Sequence, residues 1–180
     1  MYSVQETVTS PTEFGGFAGV VETWLGKRTP GAFPRWRDYD IPDFRHWIGY
    51  VSLARVIGPP FDLRYEYYGT GLCHLAARDM TGYRLSDSFP AEAADQHRRT
   101  ADYLECLWLE KSCGMRRITF DIRGREWIEA SIIDLIVGKT TPEPSHILSY
   151  LHVDRRAKAR PPVRLAWQTA AAQPRLMAGE

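Results

Sequence analysis

Apolar residues recur at helical spacing in several parts of the chain. The clearest case runs from Glu13 to Leu25, where they fall at i, i+3, i+4, i+7 and i+8 and predict an amphipathic N-terminal helix. Pro42 suits the first turn of a short helix that reaches Trp47 or Ile48. Further helices are predicted over 71–78 and 91–110, with Gly114 ending the second. The buried side of that second helix is predicted to carry Ala94, His97, Ala101, Leu104 and Trp108.

Alternating and β-branched runs predict five strands. They cover 51–57, 63–69, 116–123, 126–137 and 146–153, and Gly58-Pro59-Pro60 separates the first two as a hairpin. Helices and strands are grouped along the chain, not strictly alternating, which is typical of the α+β class. We therefore expect a five-stranded antiparallel sheet with the helices on one face and the N-terminal helix preceding it.

The stretch 63–85 organises the rest of the chain. An aromatic-rich strand from Leu63 stops at Gly69-Thr70-Gly71, where glycine allows a sharp corner. Leu72, Leu75 and Ala76 then follow at helical spacing until Asp79-Met80-Thr81-Gly82 forms a second corner. The pattern predicts a strand, a corner, a short helix and a turn in direct succession.

Three segments resemble the PAS-like domain family found in alphaproteobacteria. They are 34–42 (PRWRDYDIP), 65–70 (YEYYGT) and 79–87 (DMTGYRLSD), and the likeness spans about residues 17–154. The resemblance implies that the second strand leads into small helices that wall a cavity, and that the protein is a sensory or regulatory module. It also implies that an N-terminal helix serves as a dimer or output surface.

One face of the predicted sheet is apolar and faces that cavity. Period-2 alternation places Ile118, Phe120 and Ile122 on one strand and Ile128, Ala130 and Ile132 on the next, on the same side. The predicted ligand-binding residues are Tyr65, Tyr67, Leu72, Cys73, Ile118, Phe120, Ala130 and Ile132. These side chains either surround a small apolar or aromatic ligand or fill the space themselves.

The apolar stripe of the N-terminal helix has two interpretations. Phe17, Val20, Val21 and Trp24 either pack on the domain's own sheet or form the surface that contacts a partner or a second copy. The sensory hypothesis assigns them to a dimer or partner interface, through which the signal leaves the domain.

Composition and charge limit the classes of function. The net charge is +1, but residues 155–180 carry six basic side chains against a single acidic one. This division predicts a disordered N-terminus over 1–12, one domain over 13–154 and a basic, Pro- and Ala-rich tail over 155–180. Three irregularly spaced cysteines and no long apolar span indicate a cytoplasmic protein with no membrane partner, and the body of the domain has no basic stripe for nucleic acid.

A few single residues are candidates for cofactor binding or for acid-base chemistry. His74 and His97 are the histidines that could ligate a non-covalent haem, whereas the absence of asparagine removes the reactive-cysteine flavin signature, and no metal-ligand spacing occurs. For a small cone-fold isomerase or hydrolase, Asp134 with Tyr67 would be the acid-base candidates, because Asp121 points away from the cavity in the alternation. We therefore expect a non-catalytic sensor of unknown cofactor, with a ligand-free interaction scaffold and a small enzyme as alternatives.

Overall fold

The computed structural model describes residues 2–8, 15–44, 47–89, 91–122 and 126–154. The four α-helices are α1 (Ala18–Lys27), α2 (Ile41–Phe44), α3 (Thr70–Ala76) and α4 (Ala94–Glu110). The six strands are β1 (Tyr2–Val8), β2 (Val51–Ile57), β3 (Asp62–Tyr68), β4 (Cys113–Ile122), β5 (Glu126–Val137) and β6 (His146–Asp154). Short 3-10 turns precede α1 and α4 and lie at 36–38 and 86–88.

The strands form one antiparallel sheet in the order β1-β4-β5-β6-β2-β3. The last strand, β6, pairs with the first strand of the β2–β3 hairpin, so the hairpin and the β4–β5–β6 meander share one surface. The α+β class and the five antiparallel strands are therefore as predicted. The bounds of β2 and β5 match the predicted ranges.

Helices cover both faces of the sheet, which corrects the expectation of helices on one face. Val20, Val21 and Trp24 of α1 pack with Ile133, Leu135 and Val137 on one side. Leu72 of α3 and Leu104 of α4 pack on the other side, against Ile132 and Ile136. The reason is that β5 is apolar at successive positions, so each face offers a surface that must be covered.

The sheet gains its sixth strand from the N-terminus. Tyr2–Val8 pairs with β4 at the edge of the sheet, from Tyr2 opposite Phe120 to Val8 opposite Met115. The disorder expected over 1–12 is therefore not found for residues 2–8, and residues 1 and 9–12 lie outside the described residues. The predicted tail, 155–180, lies outside the described residues.

The α4 region also departs from the predicted pattern. The helix ends at Glu110, with Lys111 in the left-handed conformation, and Gly114 lies inside β4. The buried side chains of α4 are Thr100, Leu104 and Leu107, so the helix is rotated relative to the predicted face and Ala94 is exposed. Within the described part of the chain, no helix combines the length and apolar character needed to cross a membrane.

Candidate functional site: a cavity between the sheet and α3–α4

A cavity of about 110 Å³ lies between the sheet and the two helices α3 and α4. A second cavity of about 70 Å³ adjoins it and shares six of its lining residues. Those shared residues come from four strands and one helix: Tyr65, Tyr68, Leu72, Arg116, Ile132 and Leu151. The other residues that line the larger cavity, which is partly open to solvent, are Leu75, Ala76, Leu85, Ser88, Phe89, Gln96, Thr100 and Ile118.

The cavity exists because the chain turns sharply out of the sheet after Tyr68. Gly69 precedes the first turn of α3, and its N–H still donates to the Val51 carbonyl oxygen at 2.9 Å. At the next turn the Leu72 N–H donates to the Gly49 carbonyl oxygen at 3.0 Å. A Cβ at Gly69 would lie 2.4 Å from that same oxygen, so only glycine permits this close approach.

The segment 79–87 pairs with the outer edge of β3 and lines part of the cavity. The Tyr65 N–H donates to the Tyr83 carbonyl oxygen, and the Leu85 N–H donates to the Leu63 carbonyl oxygen. Leu85 is buried and lines the cavity. The predicted corner, helix and second turn are thus present; the helix lines the cavity, and the turn leads to Leu85, which also lines it.

The polar part of the wall is a buried ion pair. The Arg116 Nε donates to Asp134 Oδ2 at 2.8 Å, and its Nη2 lies 3.4 Å from Asp134 Oδ1. Asp134 is fully buried and also accepts a hydrogen bond from the Ser149 hydroxyl at 2.6 Å. Burial acts to lower the pKa of Arg116, but the charge and hydrogen bonds of Asp134 outweigh it and raise that pKa, so the guanidinium stays charged.

The Tyr103 hydroxyl of α4 lies against Gly114, which pairs with Asp134 across β4 and β5. A Cβ at Gly114 would come within 2.5 Å of the hydroxyl oxygen, so glycine at this position makes room for it. Burial raises the pKa of the Tyr103 hydroxyl well above its usual value, and the charge of Asp134 adds to the effect. Tyr103 therefore stays a neutral phenol near the ion pair.

Two polar side chains on α4 face the cavity without partners. Gln96 and Thr100 are four residues apart, so they lie on the same side of the helix, and both line the cavity. Thr100 is 2% exposed, and neither its hydroxyl oxygen nor Gln96 Oε1 has a hydrogen-bond partner among the described residues. Buried polar atoms are normally paired, so these two atoms are ready to bind something placed in the cavity.

The structure brings together half of the predicted ligand-binding residues. Tyr65, Leu72, Ile118 and Ile132 line the cavity. Ala130 is buried beside them in the same apolar cluster but does not reach the cavity. The side chain of Phe120 lies outside the described residues.

Tyr67 and Cys73, which were predicted to bind the ligand, do not line the cavity. Tyr67 is 45% exposed, and its ring lies 6.3 Å from Trp36, away from the cavity. An irregularity in the β2–β3 pairing shifts the alternation, so Tyr68 takes the cavity position instead. The Cys73 thiol donates to the Tyr68 carbonyl oxygen at 3.6 Å and is not part of the wall.

The predicted interface residues on the N-terminal helix are corrected as well. Phe17, Val20, Val21 and Trp24 are between 0% and 4% exposed and belong to the core on the opposite side of the sheet. The Trp24 indole N–H donates to the Ile136 carbonyl oxygen at 2.8 Å. Of the two interpretations of this stripe, packing on the domain's own sheet is the one observed.

Haem does not fit this site. His74 is exposed, and His97 packs its ring 5.5 Å from Phe89 without lining the cavity. A cavity of roughly 150 Å³ is known to hold a single benzene ring, so the volume here suits one small ring, not a porphyrin. Among the described residues no group of three or more His, Cys, Asp and Glu side chains is arranged to hold a metal ion.

The acid-base candidates are not poised for proton transfer. Both carboxylate oxygens of Asp134 are occupied by Arg116 and Ser149, and the residue is fully buried behind the cavity wall. Its suggested partner Tyr67 lies on a different strand, β3, and its side chain is exposed. The side chain of Asp121 lies outside the described residues.

Sequence reasoning missed Arg116, Gln96 and Thr100, although one signal was present. Arg116 alternates with Ile118 on β4, and Asp134 alternates with Ile132 on β5, so both charges lie on the predicted cavity face. Opposite charges at adjacent positions on the apolar faces of paired strands indicate a buried ion pair. No such signal marks Gln96 or Thr100, since their burial depends on how α4 is rotated.

No protein-family model, curated protein sequence or solved structure matches this chain. The function is therefore inferred from the cavity and from the motif resemblance.

Proposed function

We propose that this chain is a non-catalytic, PAS-like sensory or regulatory module that binds a small apolar or aromatic ligand between its sheet and the helices α3 and α4. The observation that carries the proposal is the cavity of about 110 Å³, which is lined mainly by apolar and aromatic side chains and by a few unpaired polar ones. This combination is typical of small-molecule sites.

The PAS-like part of the proposal is supported by the order of elements. A strand leads through the Gly69 corner into a small helix that walls a cavity, as the resemblance implies. The segment 79–87 then returns along β3 and supplies Leu85 to the same wall. Two of the three resembling segments thus contribute directly to the proposed site.

A ligand-free scaffold is less consistent with the cavity wall. In a module whose core is filled by its own side chains, we would expect no internal space and no unpaired buried atoms beside it. Thr100 and Gln96 depart from this pattern at the same place. A catalytic role is less consistent with Asp134, because the Arg116 guanidinium and the Ser149 hydroxyl already occupy its oxygens.

The proposed route of the signal also changes. A dimer or a partner in trans remains the proposed receiver, but the apolar stripe of α1 is buried and does not offer a surface. The helix α3 and the segment after it line the cavity and also reach the surface. There the Arg78 guanidinium lies 3.8 Å from the centre of the Tyr83 ring, which is 44% exposed. We assign the output to this surface.

Native mass spectrometry of the freshly isolated protein tests the proposal. We expect a bound small molecule in the wild-type protein and its loss in Ala76→Phe, because Ala76 lines the cavity and a phenyl ring there fills it. The matched control is Ala94→Phe, which adds the same ring at an exposed position at the start of α4 and should retain the molecule.

Two results would contradict the proposal. One is a ligand-free wild-type protein whose melting temperature is unchanged by a panel of ring-sized compounds. The other is a bound molecule that Ala76→Phe retains, because the molecule would then occupy a different part of the chain.

A further inference from the structure

We infer that the ligand is an uncharged compound of one ring that carries a primary carboxamide or an equivalent acceptor-donor pair. This inference rests on the proposed ligand-binding function and specifies its chemistry. Size, charge and the unpaired atoms of the cavity wall each contribute one part of the argument.

The size follows from the cavity and its wall. Only the two adjoining cavities together, about 110 Å³ and about 70 Å³, exceed the roughly 150 Å³ that holds one benzene ring, so they limit the ligand to one ring with one small substituent. The rings of Tyr65 and Tyr68 meet edge to face, with their centroids 5.1 Å apart, and Phe89 completes an aromatic side of the wall. Aromatic rings pack favourably in such a setting, so a planar ring is the best-fitting body.

The charge follows from the ion pair. Among the described residues that line the two cavities, Arg116 is the single charged one, and its charge is already balanced by Asp134. A ligand carboxylate would therefore add an unmatched negative charge close to the buried Asp134 carboxylate. Burial of an uncompensated charge is costly, which disfavours an acid and favours a neutral ligand.

The acceptor follows from the donors that remain. A guanidinium has five N–H donors, and Asp134 engages Arg116 through Nε and Nη2. Nη1 makes no hydrogen bond to any described residue, and the nearby wall also contains the unpaired Thr100 hydroxyl. A neutral carbonyl oxygen can accept from either group without a change in net charge.

The donor follows from Gln96. Its Oε1 is buried, faces no donor among the described residues and lies one helical turn before Thr100. A primary carboxamide supplies an N–H₂ group beside its carbonyl oxygen, so it can bond to Gln96 in either orientation of the side-chain amide. A hydrocarbon or an ether would leave this atom unpaired.

Isothermal titration calorimetry with three compounds of nearly equal shape tests the inference. Benzamide presents the neutral acceptor-donor pair, benzoate replaces it with a charge, and toluene removes both polar groups. Because each hydrogen bond contributes about fivefold in affinity, we expect benzamide to bind at least about tenfold more tightly than either other compound.

The variant Thr100→Val identifies the contact. It keeps the shape of the side chain and removes the hydroxyl, so we expect benzamide affinity to fall about fivefold and toluene affinity not to fall. The matched control is Thr23→Val on α1, whose hydroxyl bonds to the Gly19 carbonyl oxygen and is remote from the cavity wall. That control should bind benzamide like the wild-type protein, and circular dichroism checks that both variants fold.

Each outcome decides a different claim. Equal binding of benzamide and toluene overturns the polar part of the inference while ligand binding in the cavity stands. Benzoate binding as tightly as benzamide overturns the requirement for a neutral ligand. If none of the three compounds binds the wild-type protein, the proposed function itself fails, and the inference falls with it.

Discussion

The corner at Gly69 offers the sharpest test of how the fold creates its cavity. A Cβ at this position would lie 2.4 Å from the Gly49 carbonyl oxygen, 2.7 Å from its carbon and 2.9 Å from the Val51 carbonyl oxygen. All three are backbone atoms beside or within the sheet, so none can rotate away as a flexible side chain would. The substitution Gly69→Ala must therefore shift either α3 or β2.

The cost of Gly69→Ala can be worked out from these contacts. Gly69 has φ −62° and ψ 150°, which alanine adopts freely, so the penalty comes from overlap alone. Overpacking by one carbon costs about 1–3 kcal/mol, and alanine regains about 0.4–1 kcal/mol by restricting the unfolded chain. We expect the free energy of unfolding to fall by about 1–2 kcal/mol, with a melting temperature lower by about 2–8 °C.

Urea denaturation followed by circular dichroism measures this change. The matched control is Gly26→Ala in α1, where an added Cβ would meet nothing within 4 Å. Alanine is the better helix former, so the control should gain up to about 1 kcal/mol. The reasoning is refuted if Gly69→Ala is as stable as the wild-type protein while Gly26→Ala behaves as expected.

Three further predictions concern the buried polar groups. Asp134→Ala leaves Arg116 buried without its counterion and should lower the free energy of unfolding, measured by urea denaturation, by about 3–5 kcal/mol. The double variant Arg116→Met with Asp134→Leu should recover most of that loss, and simple additivity of the single effects would refute the ion-pair argument. Burial lowers the pKa of His146 despite the nearby Glu66, so the unfolded chain binds a proton on this side chain at higher pH than the folded chain does. Stability should therefore fall as the pH drops below about 6.5, and His146→Gln should make this pH dependence weaker. An unchanged pH dependence in the variant would show that another group causes it. Trp24→Phe removes a buried hydrogen bond to a backbone carbonyl and should lower the free energy of unfolding by about 1–3 kcal/mol, with no change in elution volume in size-exclusion chromatography. A changed oligomeric state at full stability would instead support the interface interpretation.

The parts of the fold that local patterns determine were predictable. The bounds of β2 followed from a β-branched run closed by glycine and proline, and the Gly69 corner followed from glycine at the end of an aromatic strand. The edge strand β1 was missed because its partner β4 lies more than 100 positions along the chain, from Tyr2 to Phe120, so nothing local reveals the pairing.

The candidate site was predictable only as an apolar wall. Period-2 alternation placed Ile118 and Ile132 at the cavity, but an irregularity between Leu53 and Ala54 exchanged Tyr67 for Tyr68. Thr100 was missed because the rotation of α4 is decided by packing on the sheet, not by the composition of the helix. Cavity residues whose position follows from the alternation of one strand could be predicted from the sequence. Cavity residues whose position depends on how two elements pack together could not.

The isoleucine methyl groups provide the most direct test of ligand binding in this cavity. Ile118 and Ile132 line it, whereas Ile133 is fully buried on the opposite side of the sheet and serves as an internal control. In methyl-labelled protein titrated with benzamide and with toluene, we predict saturable chemical-shift changes at Ile118 and Ile132 and little change at Ile133. Unchanged Ile118 and Ile132 methyl signals in both titrations would contradict the account.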